Sequence, residues 1–72
     1  MVYVVSYEDA STNDVYGVFT NLEKAELYVY ALVQNSNDFV LDYDIVDICT
    51  KLFFTKHGTY RIARIQLNDD TI

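Results

Sequence analysis

Residues 20–34 read TNLEKAELYVYALVQ. Thr20-Asn21-Leu22-Glu23 matches the capping box, in which a hydroxyl accepts from the amide three residues on and the carboxylate reaches back. A helix from about Asn21 to Gln34 follows. The polar NSND at 35–38 ends it, with Asn35 as the left-handed C-terminal residue. At about 100° per residue, Leu22, Ala25, Tyr28, Val29, Leu32 and Val33 share one broad face. That face is expected to cover a sheet. Leu27 lies almost opposite, with Tyr30 and Ala31 beside it, and the three form a patch suited to contact.

The flanking segments supply the sheet. VYVVSYE at 2–8 is β-branched and aromatic and reads as a strand. DASTND at 9–14 is a turn cluster, and VYGVF at 15–19 returns as the second strand of a hairpin. Gly17 within it points to a bulge or a close approach. FVLDYDIVDICTKLFF at 39–54 reads as one long strand-like run. Leu41, Tyr43 and Ile45 alternate with Asp42 and Asp44, and then the phase slips by one. A period of two tolerates such a slip only at a bulge or break, placed near Ile45–Val46. TKHG at 55–58 is a turn, TYRIARIQL at 59–67 a last strand, and 68–72 a loose tail.

The expected fold class is therefore α+β: a single domain, 1–72, with an antiparallel sheet of about four strands and one helix on one face (ββαββ). One helix of about 14 residues is roughly 21 Å long and covers one sheet face only. The strands are apolar on both faces, so the uncovered face is expected to carry the tyrosines. Tyr3, Tyr7 and Tyr16, with Leu27 and Tyr30, are then candidate partner or dimer contacts, because tyrosine suits half-wet interfaces.

The chain has 72 residues, one cysteine and no proline. It cannot close an internal disulfide. Eleven acids face five bases, a formal charge of −6, which disfavours direct binding to nucleic acid or an anionic membrane. No basic leader precedes an apolar stretch, and no window approaches a membrane span. A cytoplasmic protein with a free thiol is expected.

No metal, cofactor or catalytic residue is expected. His57 lies in a turn, and Cys49 reads as a small buried hydrophobe rather than a nucleophile. The aspartates lack the calcium-loop spacing, and the chain holds no phosphate loop, zinc pattern or nucleophile elbow.

Charge placement is more informative. Residues 1–50 carry nine acids and one base, whereas 51–72 carry four bases and two acids. Residues i and i+2 of a strand lie about 6.6–6.8 Å apart on one face, so Asp42 and Asp44 form a short carboxylate row. DNA presents a phosphate every 3.4 Å or so along each strand. Asp42 and Asp44, joined by Asp38, Asp47, Glu8, Asp9 and Asp14, form a candidate imitation of a phosphate backbone. The other reading of this acidity is solubility alone.

The segment VYVVSYED…DVYGVFTNLEKAELYVYAL resembles small uncharacterised proteins of bacteriophages and their hosts, which share the GVF-type strand and a helix opening with Glu23-Lys24-Ala25-Glu26. Size and acidity also look like the host-takeover proteins of lytic phages. That resemblance implies an inhibitor of a host DNA-binding protein, polymerase or nuclease, acting in the host cytoplasm, and carries over no functional residue.

The functional expectation is a dimeric, non-enzymatic protein that occupies a basic nucleic-acid-binding surface with carboxylates. The alternative is an interaction or assembly module using its tyrosine-rich face.

Overall fold

In a computed structural model, residues 1–47 and 49–66 are described. The tail expected at 68–72 and the end of the last strand lie outside them. The elements are β1 (Val2–Glu8), β2 (Asn13–Phe19), α1 (Leu22–Asn35), β3 (Val40–Asp47), β4 (Thr50–Thr55) and β5 (Thr59–Ile65). All ladders are antiparallel, and the strands lie in the order β2-β1-β5-β4-β3. The fold is thus α+β with one helix on one sheet face, but with five strands rather than about four.

The extra strand comes from the 39–54 run, which folds back on itself. Asp47, the last residue of β3, pairs with Thr50, the first of β4. The Asp47 carboxylate accepts from the Cys49 amide at 2.7 Å and ties the two strand ends together. Cys49 is therefore exposed at a hairpin tip, not buried in a strand. The slip near Ile45–Val46 is present as a register shift between Ile45 and Asp47, with a second between Val40 and Asp42. Each shift leaves one β3 residue, Val46 or Leu41, without an opposite number.

A third shift separates Val5 and Ser6 on β1, and Tyr16 is the extra residue on β2. It adjoins Gly17, as the sequence suggested. A Cβ at Gly17 would lie 3.0 Å from the Phe19 ring and 3.4 Å from that of Tyr28, so the glycine lets both rings pack close.

The helix starts one residue later than expected, because Asn21 rather than Thr20 is its N-cap. Its side-chain oxygen accepts from the amides of Glu23 (2.7 Å) and Lys24 (3.3 Å). The C-terminal end is shifted as well. Ser36 is the C-cap, and Asn37, with φ 55, takes the left-handed position expected of Asn35. Asp38 donates to the Val33 carbonyl and Asn37 to that of Gln34, the paired bonds of a Schellman ending.

The core consists of Val5, Ala25, Val29, Val33, Phe53, Tyr60 and Ile62. Tyr3, Tyr7, Phe19, Tyr28, Leu32 and Val40 pack around it, half-buried. The tyrosine-rich face is therefore the one beneath the helix, contrary to the sequence reading. The rings fill the apolar layer while their hydroxyls escape at its edge: Tyr7 donates to Asp9 at 3.0 Å and Tyr28 to the Tyr16 carbonyl at 3.2 Å. Opposite residues in a ladder share a face, so the uncovered face is mixed: Val2, Val4, Val15, Val18, Leu52, Phe54, Ala63 and Ile65 lie on it among Ser6, Glu8, Asn13, Thr50, Thr59, Arg61 and the β3 aspartates.

Replacing Asn21 by alanine is expected to cost about 1 kcal/mol in urea unfolding, and replacing Thr20 less than about 0.5 kcal/mol. Equal losses would reject Asn21 as the cap. A Cβ at Gly58 would lie 2.5 Å from the Tyr7 hydroxyl oxygen, and the Tyr7 ring is confined between those of Tyr16 and Tyr60. Gly58→Ala is accordingly expected to lower stability by about 1–3 kcal/mol.

Candidate functional site

The carboxylates singled out in the sequence fall into two groups. Asp9 and Asp38 are structural. Asp9 accepts from the Ser11 amide at 2.9 Å and from the Tyr7 hydroxyl, closing the β1–β2 turn. These bonds, the Ser11 amide first, hold its carboxyl below the ordinary value. Asp38 ties the end of the helix to the β4–β5 turn through the amides of Phe39 (2.8 Å), Lys56 (3.2 Å) and His57 (3.4 Å). Desolvation works to raise its carboxyl, but these donors and the Thr55 hydroxyl outweigh it and leave it lowered.

Asp42, Asp44 and Asp47 form the second group. Asp42 opposes Phe54, Asp44 opposes Leu52 and Asp47 opposes Thr50, all on the uncovered face. The bulge at Val46 is what returns Asp47 to the side of Asp42 and Asp44. The row expected of Asp42 and Asp44 is therefore present along the outermost strand, with Asp47 in it. All three are exposed. Glu8 shares this face in the Asp42 row, beyond Phe54 and Thr59, whereas Asp14 opposes Tyr7 on the helix side. The seven carboxylates do not make one continuous strip.

The second surface lies on the helix side. The helix packs chiefly on β1, β2 and β5, and residues 41–47 of β3 stay exposed. Tyr43 and Ile45 oppose Phe53 and Lys51 on that side and are 57% and 62% exposed. Leu27 (62%) and Tyr30 (48%) are open on the helix, and the Tyr30 ring stands edge-on to Phe53 at 5.6 Å. Lys51 bridges the two elements. Its ammonium pairs with Glu26 of the helix and lies 5.2 Å from the ring centres of both Tyr43 and Phe53. Nearer the start of the helix, a groove of about 220 Å³ opens between Leu22, Tyr3, Ile62 and Ile45, with Lys51 and Arg64 at its wall.

Of the apolar candidates, Leu27 and Tyr30 belong to this surface. Tyr3 lines the groove half-buried, and Tyr7 is packed under the helix. Tyr16, 42% exposed, stands at the other edge of the sheet and stacks on Tyr7. Tyr43 and Ile45 were missed. Their alternation with Asp42 and Asp44 was visible, but which face the helix would leave open was not. His57 is exposed in its turn. Among the described residues no three His, Cys, Asp or Glu side chains converge on a metal position, and no described helix is long and apolar enough to cross a membrane.

No protein-family model, curated protein or solved structure matches the chain.

Two pH effects follow. A lowered carboxyl stabilises the fold above its unfolded pKa, and the gain disappears as pH falls through the folded value. Asp38→Asn is expected to be less stable at neutral pH and to lose less stability between pH 5 and 2, in urea midpoints measured across that range. Tyr7 runs the other way. Burial, and then its bond to Asp9, raise it to about 12. Its contribution is complete below pH 10 and is lost as pH rises toward 12. Tyr7→Phe should flatten that alkaline decline.

Proposed function

We propose that the chain is a non-enzymatic protein-binding module that engages its partner on the helix side of β3. The observation that carries this reading is the exposure of Leu27, Tyr30, Tyr43 and Ile45 on adjoining elements, next to a groove that suits an apolar anchor side chain. Interfaces are organised in this way, with aromatic and aliphatic groups around a pocket and charges at the rim. The net charge of −6 steers such a surface toward basic partners.

A second reading has its own support. Asp42, Asp44 and Asp47 share one exposed face of an edge strand. A row of that kind favours the inhibitor reading, in which carboxylates take the place of DNA phosphates on a basic host protein. The resemblance to host-takeover proteins points the same way.

Affinity capture from a bacterial lysate with immobilised protein separates the two. Under the first reading Ile45→Glu or Tyr30→Ser abolishes capture, the triple change of Asp42, Asp44 and Asp47 to Asn leaves it within about threefold, and raising salt to about 0.5 M has little effect. Under the second, the triple change and added salt abolish it, and free DNA competes. Capture insensitive to Ile45→Glu overturns the first reading. Capture insensitive to the triple change overturns the second.

A further inference from the structure

Among the described residues, three charged side chains line the groove at the start of the helix: Lys51, Asp47 and Arg64. Two of them have partners. Lys51 pairs with Glu26, and the Asp47 carboxylate accepts from the Cys49 amide. Arg64 has no carboxylate within ion-pair distance among the described residues. It is half-buried, and its backbone is held from both sides. It opposes Tyr3 on β1, and its amide donates to the Cys49 carbonyl at 2.6 Å. The groove thus fixes a guanidinium in place and leaves its donors without a carboxylate.

The rest of the lining is chiefly apolar, with Leu22, Tyr3, Ile45 and Ile62. Ile62 is two residues from Arg64 on the same face of β5, about 6.8 Å along the strand. An apolar group resting on Ile62 and an anion on Arg64 therefore fit within one small moiety. At about 220 Å³ the groove is smaller than the roughly 300–1,000 Å³ that a drug-sized ligand takes. A guanidinium holds a carboxylate with two parallel donors. A carboxylate and an apolar side chain on one carbon describe the last residue of a polypeptide.

We propose that the groove takes the C-terminal residue of a polypeptide partner, its apolar side chain on Leu22 and Ile62 and its α-carboxylate on the Arg64 guanidinium. This inference rests on the protein-binding reading above and names the group that anchors the partner. Net charge selects a chain end over a free small acid. At −6 the protein repels small anions at long range, whereas a carboxylate at the end of a basic chain is drawn in with that chain. Ile45 lines the groove and Tyr43 precedes it on the same face of β3, so the partner's preceding residues find apolar contact there.

The test is an NMR titration of the isotope-labelled whole chain with three probes: the acetylated pentapeptide Lys-Ala-Lys-Ala-Leu as free acid, the same peptide as its C-terminal amide, and acetyl-leucine. The free acid is expected to shift the amides of Leu22, Ile45, Cys49 and Arg64, with a Kd of about 0.1–1 mM. The amide carries one more positive charge, so attraction to an acidic protein alone would favour it. It is nevertheless expected to bind at least about fivefold more weakly, and acetyl-leucine more weakly than the free-acid peptide. Arg64→Gln, shown folded by circular dichroism, should bring the free acid down to the amide's affinity and leave the amide unchanged. Equal binding of acid and amide overturns the proposal, and that comparison needs no variant. So does acetyl-leucine binding as tightly as the free-acid peptide, an absence of shifts in the groove, or an Arg64→Gln effect equal for acid and amide. Equal binding of acid and amide in the groove removes the carboxylate but keeps the apolar anchor. Failure of the protein-binding reading shows instead as lysate capture indifferent to Ile45→Glu.

Discussion

One helix about 10 Å wide packs on a five-stranded sheet about 19 Å across, measured between its outer strands. That mismatch governs the molecule. Ala25, Val29 and Val33 seal Val5, Phe53, Tyr60 and Ile62 beneath the helix and leave the rest of an apolar chain to find other cover. The helix sits toward β1 and β2, so the deficit falls on β3. Six consecutive residues there, Leu41 to Val46, are exposed, and only two of the six are charged. In a chain of this size the core is small in any case, and the surfaces described above follow from where it is spent.

The charged residues are divided between holding the fold and facing outward. Asp9, Asp38 and Asp47 close turns or helix ends by accepting backbone amides. Lys51 joins the helix to β4 through Glu26, with the Tyr43 and Phe53 rings beneath it. Pairs at the protein surface, even half-buried ones such as Lys51–Glu26, are worth little each. Their value is positional, because they fix the hairpins on which Asp42, Asp44 and Ile45 are displayed. Asp47 serves in both groups, with one oxygen on the Cys49 amide and its strand position on the open face.

Much of this was legible because it is local. β1 and the helix are written in residue type and period, and the bulge near Val46 in a broken alternation. What was not legible depended on choices between near-equivalent neighbours or on distant packing. Thr20 and Asn21 are both good caps, and only the path of the chain out of β2 selects the second. The pairing of Asp47 with Thr50 is held by the side chain of Asp47 on the Cys49 amide, and in sequence that aspartate looks like one more outward strand residue. The tyrosines were placed on the wet face because tyrosine suits half-wet surfaces, yet a hydroxyl with a partner can also sit at the edge of a covered layer. Asp9 and the Tyr16 carbonyl supply those partners at the margin of the covered layer, and no local pattern announces them.

The two bulges of β3 have a consequence for how the chain survives in crowded solution. A bare outer strand rich in leucine, tyrosine, isoleucine and valine is a natural template for strand addition without end. Leu41 and Val46 each step out of register, so an incoming strand finds only a short straight stretch between them. Within that stretch Asp42 and Asp44 would meet their own counterparts in any antiparallel copy aligned on it. The edge offers apolar side chains but little straight backbone for an incoming strand to pair with.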